Sequence, residues 1–210
     1  MEPEVVIVVP KGRVLEQLVP RLEAAGFDSK ALTRGGRQLI RDDKVGRLRY
    51  LLLKPDDVPT WVEYGAADLG VVGRDVLLER QYDLFAPVDL GIGVCRMMVC
   101  GPADFAFTTD MSRTLRVASK FPNIARRHFL GRGQPVEVIL VNGSVELAPL
   151  TGLADVIVDI VETGETLRQN GLVPLEAICD ISSVVVANRV GSKLKRAAIE
   201  PVLAALRASA

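Results

Sequence analysis

Aromatic side chains are scarce in this chain of 210 residues, at 5% of the total, so Val, Leu, Ile and Ala must supply most of any core. That profile suits buried strands covered by helices rather than an aromatic-rich β-sandwich. A single histidine, His128, excludes a zinc site built from several imidazoles, and a solvated or packing role is expected for it. The three cysteines, Cys95, Cys100 and Cys179, are odd in number and lack metal-ligand spacing, so they read as buried thiols of a reducing compartment. Lys plus Arg equal Asp plus Glu at 26 each, which points away from nucleic acid or an anionic membrane as a general partner. No apolar run approaches the roughly 20 residues that cross a bilayer. The opening Met1-Glu2-Pro3-Glu4 has neither the basic segment nor the apolar stretch of a signal peptide. A cytoplasmic protein that engages neither membrane nor nucleic acid is expected.

What is present is alternation. Strand signals fall at residues 5–9, 48–53, 69–72, 95–100, 116–118, 136–141, 155–158 and 184–188. Helical patterns lie between them at 14–25, 58–66, 75–79, 122–130 and 145–150, with an amphipathic stretch at 193–208 closing the chain. This order predicts an α/β fold with mainly parallel sheets. The linker around residues 87–93 and the turn-rich piece 101–109 suggest two lobes. Residues 1–89 would form lobe I, 90–174 lobe II, and 175–210 would return to lobe I. Ligands in such folds bind beyond the strand carboxyl ends, here expected in a cleft between the lobes.

The most informative stretch is Asp159-Ile-Val-Glu-Thr-Gly-Glu-Thr-Leu-Arg-Gln-Asn-Gly-Leu172. It follows the apolar run Val156-Ile157-Val158, which sets Asp159 and Glu162 at and just after a strand's carboxyl end. Thr163-Gly164-Glu165-Thr166 then turns the chain into a short helix beginning near Leu167. Gly164 permits a tight turn, and the amides that follow, with the Thr163 and Thr166 hydroxyls, suit a phosphate. Acids for sugar hydroxyls beside such a nest fit a phosphorylated ribose. The competing reading is an ordinary strand–turn–helix junction with Thr166 as a cap.

Lys11-Gly12-Arg13 follows the first strand and opens the first helix. Unpaired cations are unfavourable against a helix dipole there, so an anionic ligand would resolve the conflict; two solvated side chains are the alternative. Asp68-Leu69-Gly70-Val71-Val72-Gly73 brings an acid to a strand start, either to hydrogen-bond a base or ribose or to cap local amides. Arg47, Arg49 and Lys54 flank the strand at 48–53 and read as solvated. Ser144 is an N-cap candidate, and Lys120 a possible phosphate contact.

Together these segments resemble the ATP phosphoribosyltransferase family, across nearly the whole chain. The matching motifs are Pro10-Lys11-Gly12-Arg13, Asp57-Val58-Pro59, Gly65 through Asp75, Asp89-Leu90-Gly91, residues 118–127, and residues 142–172 with their loop. Lys54 and Trp61 depart from the arginine and tyrosine usual in the family, and Glu165 occupies a variable position. The resemblance implies transfer of the phosphoribosyl group of PRPP (phosphoribosyl pyrophosphate) to N1 of ATP, the first step of histidine biosynthesis, with Mg2+ carried on substrate phosphates. It implies a fold like the type II periplasmic binding proteins. It also implies the short form of the enzyme, self-associating and working with a histidyl-tRNA-synthetase-like (HisZ-type) regulatory subunit in a hetero-octamer.

In that framework Thr163, Gly164, Glu165, Thr166 and Leu167 hold the PRPP 5′-phosphate, and Asp159 or Glu162 the ribose. Lys11, Gly12 and Arg13 with Asp68, Leu69, Gly70 and Gly73 form the ATP side, Lys11 sharing in catalysis with Asp159 and Glu162. The alternatives are a two-lobe solute-binding or sensor module without catalysis, and a phosphoribosyltransferase for another base.

Overall fold

The structure, a computed structural model, describes residues 4–33, 35–43, 48–107 and 113–210. Arg47 and the end of the 101–109 turn lie outside the described residues. The chain forms two compact units, one from residues 1–77, 81–94 and 182–210, the other from 78–80 and 95–181.

The first unit opens with β1 (Val5–Pro10), α1 (Arg13–Ala24), α2 (Lys30–Thr33), β2 (Ile40–Asp42) and β3 (Leu48–Leu53). It continues through α3 (Val58–Glu63), β4 (Leu69–Gly73), α4 (Arg74–Glu79), whose last two residues cluster with the second unit, and β5 (Leu84–Asp89). The second unit holds β6 (Cys95–Pro102), β7 (Leu115–Ser119), α5 (Pro122–Leu130), β8 (Val136–Leu140), α6 (Leu147–Leu150), β9 (Val156–Val161), α7 (Glu165–Gln169) and β10 (Leu172–Ile181). The chain then returns to the first unit as β11 (Ser183–Asn188), α8 (Arg189–Leu194) and α9 (Arg196–Ala208).

The first sheet runs β2-β3-β1-β4-β11-β5 and the second β10-β6-β9-β7-β8. Side chains alternate across each strand. In β1, Ile7 and Val9 enter the core shared with Leu18 and Leu22 of α1 and Ile199 and Leu203 of α9, while Val8 enters the opposite core with Val58 and Val62 of α3. In β9, Val156 and Val158 pack with Ile124 and Phe129 of α5, and Ile157 packs with Ala148 of α6 and Leu167 of α7. A strand covered on both faces reads as a continuous apolar run, which is why these strands are visible in the sequence.

Both sheets are mixed. The centres are parallel, with β1 between β3 and β4 and β7 between β8 and β9, but the flanks at β2, β11, β5, β6 and β10 pair antiparallel. The unit boundaries fall at 94/95 and 181/182, later than the 89/90 and 174/175 read from the sequence. Leu90 donates its N–H to Ser183 O and Ser183 donates to Ile92 O, so pairing with the returning strand holds residues 90–92 in the first unit. Residues 172–181 form β10, a ten-residue strand on β6. Its period is broken by register shifts between Pro174 and Glu176 and between Ala177 and Cys179, so it shows no clean alternation. The closing helix is two helices. Between them Lys195 leaves helical geometry (φ −107°, ψ 25°) and places its Nζ 2.9 Å from Asp68 Oδ1.

A Cβ on Gly70 would lie 2.7 Å from Val58 Cγ1 and 2.8 Å from Val62 Cγ2, so the missing side chain lets α3 seat on β4. Gly70→Ala is expected to lower unfolding free energy by about 1–3 kcal/mol in denaturant titrations, and Val58→Ala in the same chain to restore part of it. Asp68, largely buried, accepts from Val6 N–H at 2.9 Å as well as pairing with Lys195. Asp68→Ala leaves a backbone donor without its partner and should cost about 1–3 kcal/mol in the same titration; unchanged stability would contradict a structural role for this carboxylate.

Candidate functional site

Parallel strands end at a common edge, and the loops that leave them are neighbours. In the second unit β7, β8 and β9 run in one direction, so Lys120, the 141–146 loop and the 162–164 loop gather at one edge. Gly164 precedes α7 with φ 73° and ψ 7°, a left-handed turn that costs a residue bearing a Cβ about 1–2 kcal/mol. The turn lets Arg168 N–H reach Gly164 O at 3.0 Å and Glu165 N–H reach Thr163 Oγ1 at 3.4 Å. By helix geometry the Thr166 and Leu167 amides have no partner within α7. Leu167 is buried against Ala148 and Ile157 and anchors the turn, while Glu162, Thr163 and Thr166 are exposed. The exposed Glu165 carboxylate is engaged by Arg168 (2.6 Å) and Gln169 (2.7 Å), which hold its pKa below the usual range.

Asp159 lies inside β9 rather than at its end, with Val161 closing the strand. Two residues beyond Ile157, it shares the face of Ile157, Met98 and Leu167. Burial there pushes its pKa up, and the nearby Glu146 adds to that. Its own neighbour Ile160, whose N–H it accepts at 2.8 Å, and Lys120 oppose the rise. Buried Cys100 answers to the same surroundings: burial, with Asp159 and Glu146 nearby, pushes its thiol up to about 12, so it is an inert core thiol. The grouping of Lys120 and Glu146 with Asp159 arises from strand pairing, and no local motif signals it. The Ser144 side chain is not the helix cap. Ser144 adopts φ 50°, its carbonyl accepts from Leu147 N–H, and Glu146 takes the N-cap position.

In the first unit β1, β3, β4 and β5 also share a direction, since β11 is antiparallel to both β4 and β5. Their common carboxyl edge carries Lys11, Gly12 and Arg13, then Lys54, Gly73 and Arg74, and finally Asp89. Lys11 N–H donates to Leu53 O at 3.0 Å, which fixes the turn beside Lys54. Gly12 adopts φ 93° and ψ −153°, a conformation open only to glycine. Lys11 and Lys54 have no ion-pair partner among the described residues. Arg74 is paired with Asp89 at 3.1 Å. Burial alone would raise Asp89, but the Gly91 N–H, the Ser182 hydroxyl and Arg74 outweigh it and hold the carboxyl below its ordinary range. This Arg74–Asp89–Ser182 cluster has no signature in local sequence.

The structure separates the residues expected on the ATP side. Lys11, Gly12, Arg13 and Gly73 share one edge. Asp68 precedes β4 at the other, about 16 Å away at roughly 3.3 Å per residue. There it is spent on Val6 and Lys195. Leu69 is fully buried in the α1/α9 core, and Gly70 lies against α3. These three residues position β4 and do not face the cationic edge. His128 is largely buried against Phe129, its Nε2 3.5 Å from Glu176 Oε1; burial lowers its pKa, the packing role expected of it.

The family profile described as HisG, ATP phosphoribosyltransferase, matches residues 54–208. A protein named ATP phosphoribosyltransferase from Sorangium cellulosum (strain So ce56) is 54% identical over 203 residues, covering 97% of this chain and 94% of that one. ATP phosphoribosyltransferase 2 of Geobacter sulfurreducens is 45% identical over 204 residues, covering 96% of each. Among solved structures, a chain of the ATP phosphoribosyl transferase (HisG:HisZ) complex from Thermotoga maritima superposes with TM-score 0.83 at 35% identity, over 98% of both chains. The periplasmic aliphatic sulphonate binding protein SsuA from Escherichia coli superposes with TM-score 0.60 at 15% identity, over 98% of this chain and 72% of that one, which shows the shared periplasmic-binding-protein fold. With a profile match over most of its length and close relatives along nearly all of it, the chain belongs to the ATP phosphoribosyltransferase family.

Proposed function

We propose that this chain transfers the phosphoribosyl group of PRPP to N1 of ATP, giving N1-(5-phosphoribosyl)-ATP and pyrophosphate, the first step of histidine biosynthesis. Family membership supports the reaction. The observation that carries the site is the left-handed Gly164 turn, which presents unengaged amides and two exposed threonines directly after the acid-bearing strand β9.

In this reading the 5′-phosphate sits on Thr163–Leu167, held by the Thr166 and Leu167 amides and the Thr163 and Thr166 hydroxyls. Asp159 and Glu162 hold the ribose hydroxyls. Lys11 and Arg13, at the start of α1, neutralise pyrophosphate or the ATP phosphates, with Lys54 beside them and Gly12 and Gly73 keeping the backbone open. The lone pair on adenine N1 forms the new bond to C1′ while the C1′–O bond breaks and its electrons leave with pyrophosphate. No general base is required. Positive charge develops on the ribose ring during that exchange, and the carboxylates of Asp159 and Glu162 stabilise it. Holding both substrates in line supplies much of the rate.

The described residues contain no group of three or more His, Cys, Asp or Glu able to hold a metal ion. Mg2+ needs no such cage, because it keeps several waters and binds through substrate phosphates with one or two carboxylates, which Asp159 and Glu162 would supply in this reading. When bound, it neutralises charge on the departing pyrophosphate. The Thermotoga relative was solved as a HisG:HisZ complex, and we infer a regulatory partner of that kind here, in a hetero-octamer within the cytoplasm. None of the described helices is long and apolar enough to cross a membrane. The SsuA likeness supports the fold and gives no reason to prefer a binding module over catalysis.

Incubating the purified chain with ATP, PRPP and Mg2+, with and without the partner, should yield N1-phosphoribosyl-ATP; no product under either condition would refute the assignment. Gly164→Val should abolish turnover and PRPP binding by straining the left-handed turn, while leaving the rest of the fold largely intact, since a Cβ there meets only Val161 Cγ1 at 3.8 Å. Lys11→Ala should impair catalysis or ATP binding, read as kcat and KM for ATP. Acidification should also weaken PRPP binding. The carboxylate form of Asp159 is the competent one, and its raised pKa brings protonation in at a higher pH than for an exposed aspartate. Asp159→Asn should remove that step from the pH profile and leave the shared titration of the PRPP phosphates; identical profiles for the two proteins would contradict the ribose role.

A further inference from the structure

The end of the first-unit sheet opposite Lys11 carries a cavity of about 490 Å3 between β5 and the faces of α8 and α9. Its place follows from register: Phe85 of β5 pairs with Ala187, which pairs with Leu69 at the start of β4. From this cavity we propose a binding site for a small organic anion with an aromatic or apolar body, separate from the substrate sites.

Three observations converge. First, helical spacing aims a cationic stripe into the cavity. Arg196, Glu200, Leu203 and Arg207 follow one another at intervals of four, three and four on α9, and Ser192 and Lys193 face it from α8. Lys193, Arg196 and Arg207 have no ion-pair partner among the described residues, and Glu200 is the one acid in the lining. Arg189 is already neutralised by Asp83 at 3.0 Å. Three uncompensated cations against one acid favour an anion. Second, the floor is apolar, formed by Phe85 and Pro87 from alternate positions of β5 with Leu203 opposite. Third, Ser192 Oγ is buried without a hydrogen-bond partner among the described residues, a deficit that a ligand acceptor would remove.

The occupant is a small molecule rather than an added strand. β5 is an edge strand, but Pro87 lacks the N–H that strand addition would need. The volume lies within the range of roughly 300–1,000 Å3 typical of small-ligand pockets.

The test titrates the full-length chain, saturated with ATP and PRPP and free of metal, with 8-anilinonaphthalene-1-sulfonate and with its neutral analogue N-phenyl-1-naphthylamine. One anion should bind per chain, more tightly than the neutral probe. The exposed pair Arg196→Gln/Arg207→Gln should weaken the anion about tenfold or more while barely moving the neutral probe. Glu200→Gln should tighten the anion while leaving the neutral probe and the thermal unfolding midpoint unmoved, which separates a charge effect from the added probe binding that partial unfolding produces. Unaltered anion affinity in both variants, absence of saturable binding, or no preference for the anion over the neutral probe would overturn the proposal.

Discussion

The parallel pairing at the centre of each sheet is the constraint on which the rest depends. Only because β7, β8 and β9 point the same way do Lys120, Glu146 and the Gly164 turn gather around Asp159. The matching arrangement of β1, β3 and β4 collects Lys11, Arg13, Lys54 and Arg74 at one edge of the other sheet. Covering each parallel core on both faces makes its strands apolar throughout, so polar side chains that carry chemistry are displaced to the strand ends and the loops beyond. Asp159 is the exception: a carboxylate two residues short of its strand's end, on a face otherwise given to Ile157, Met98 and Leu167, with burial raising its pKa. A buried acid is costly unless something compensates it. Here Ile160 N–H and Lys120 do so in part, leaving a group whose ionisation a cationic or hydroxyl-rich ligand would favour.

Much of this was legible in the sequence. α5 begins and ends where periodicity sets it, at Pro122 and Leu130, and the Gly164 turn follows from one glycine between threonines after an apolar run. Where reading failed, a long-range contact had overridden a local signal. For Asp68 the sequence leaves open a contact to a base or ribose and a bond to backbone amides; the partners that engage its oxygens, Val6 N–H and Lys195, are distant in sequence. The same Lys195 divides what hydrophobic periodicity reads as one closing helix. β10 stayed hidden because two register shifts destroy its alternation, and β5 because Pro87 suits only an edge. Arg74, Asp89 and Ser182 form a cluster only after β11 has returned to the sheet, which no window along the chain can reveal.

Glycine marks both turns of the proposed site, for backbone reasons. Gly12 and Gly164 have open space around a hypothetical Cβ but φ values of 93° and 73°, whereas Gly70 has ordinary φ and no space at all. The first two shape the loops proposed to meet substrate; the third lets a helix approach a strand. Sequence alone gives these roles the same letter.

The most direct test of the phosphate turn is residue-resolved amide hydrogen exchange with and without saturating PRPP. If the turn grips the 5′-phosphate, the amides of Thr163 through Leu167 must slow markedly when PRPP is bound. Unchanged exchange across those residues, with PRPP bound and protection arising elsewhere, would contradict the central claim.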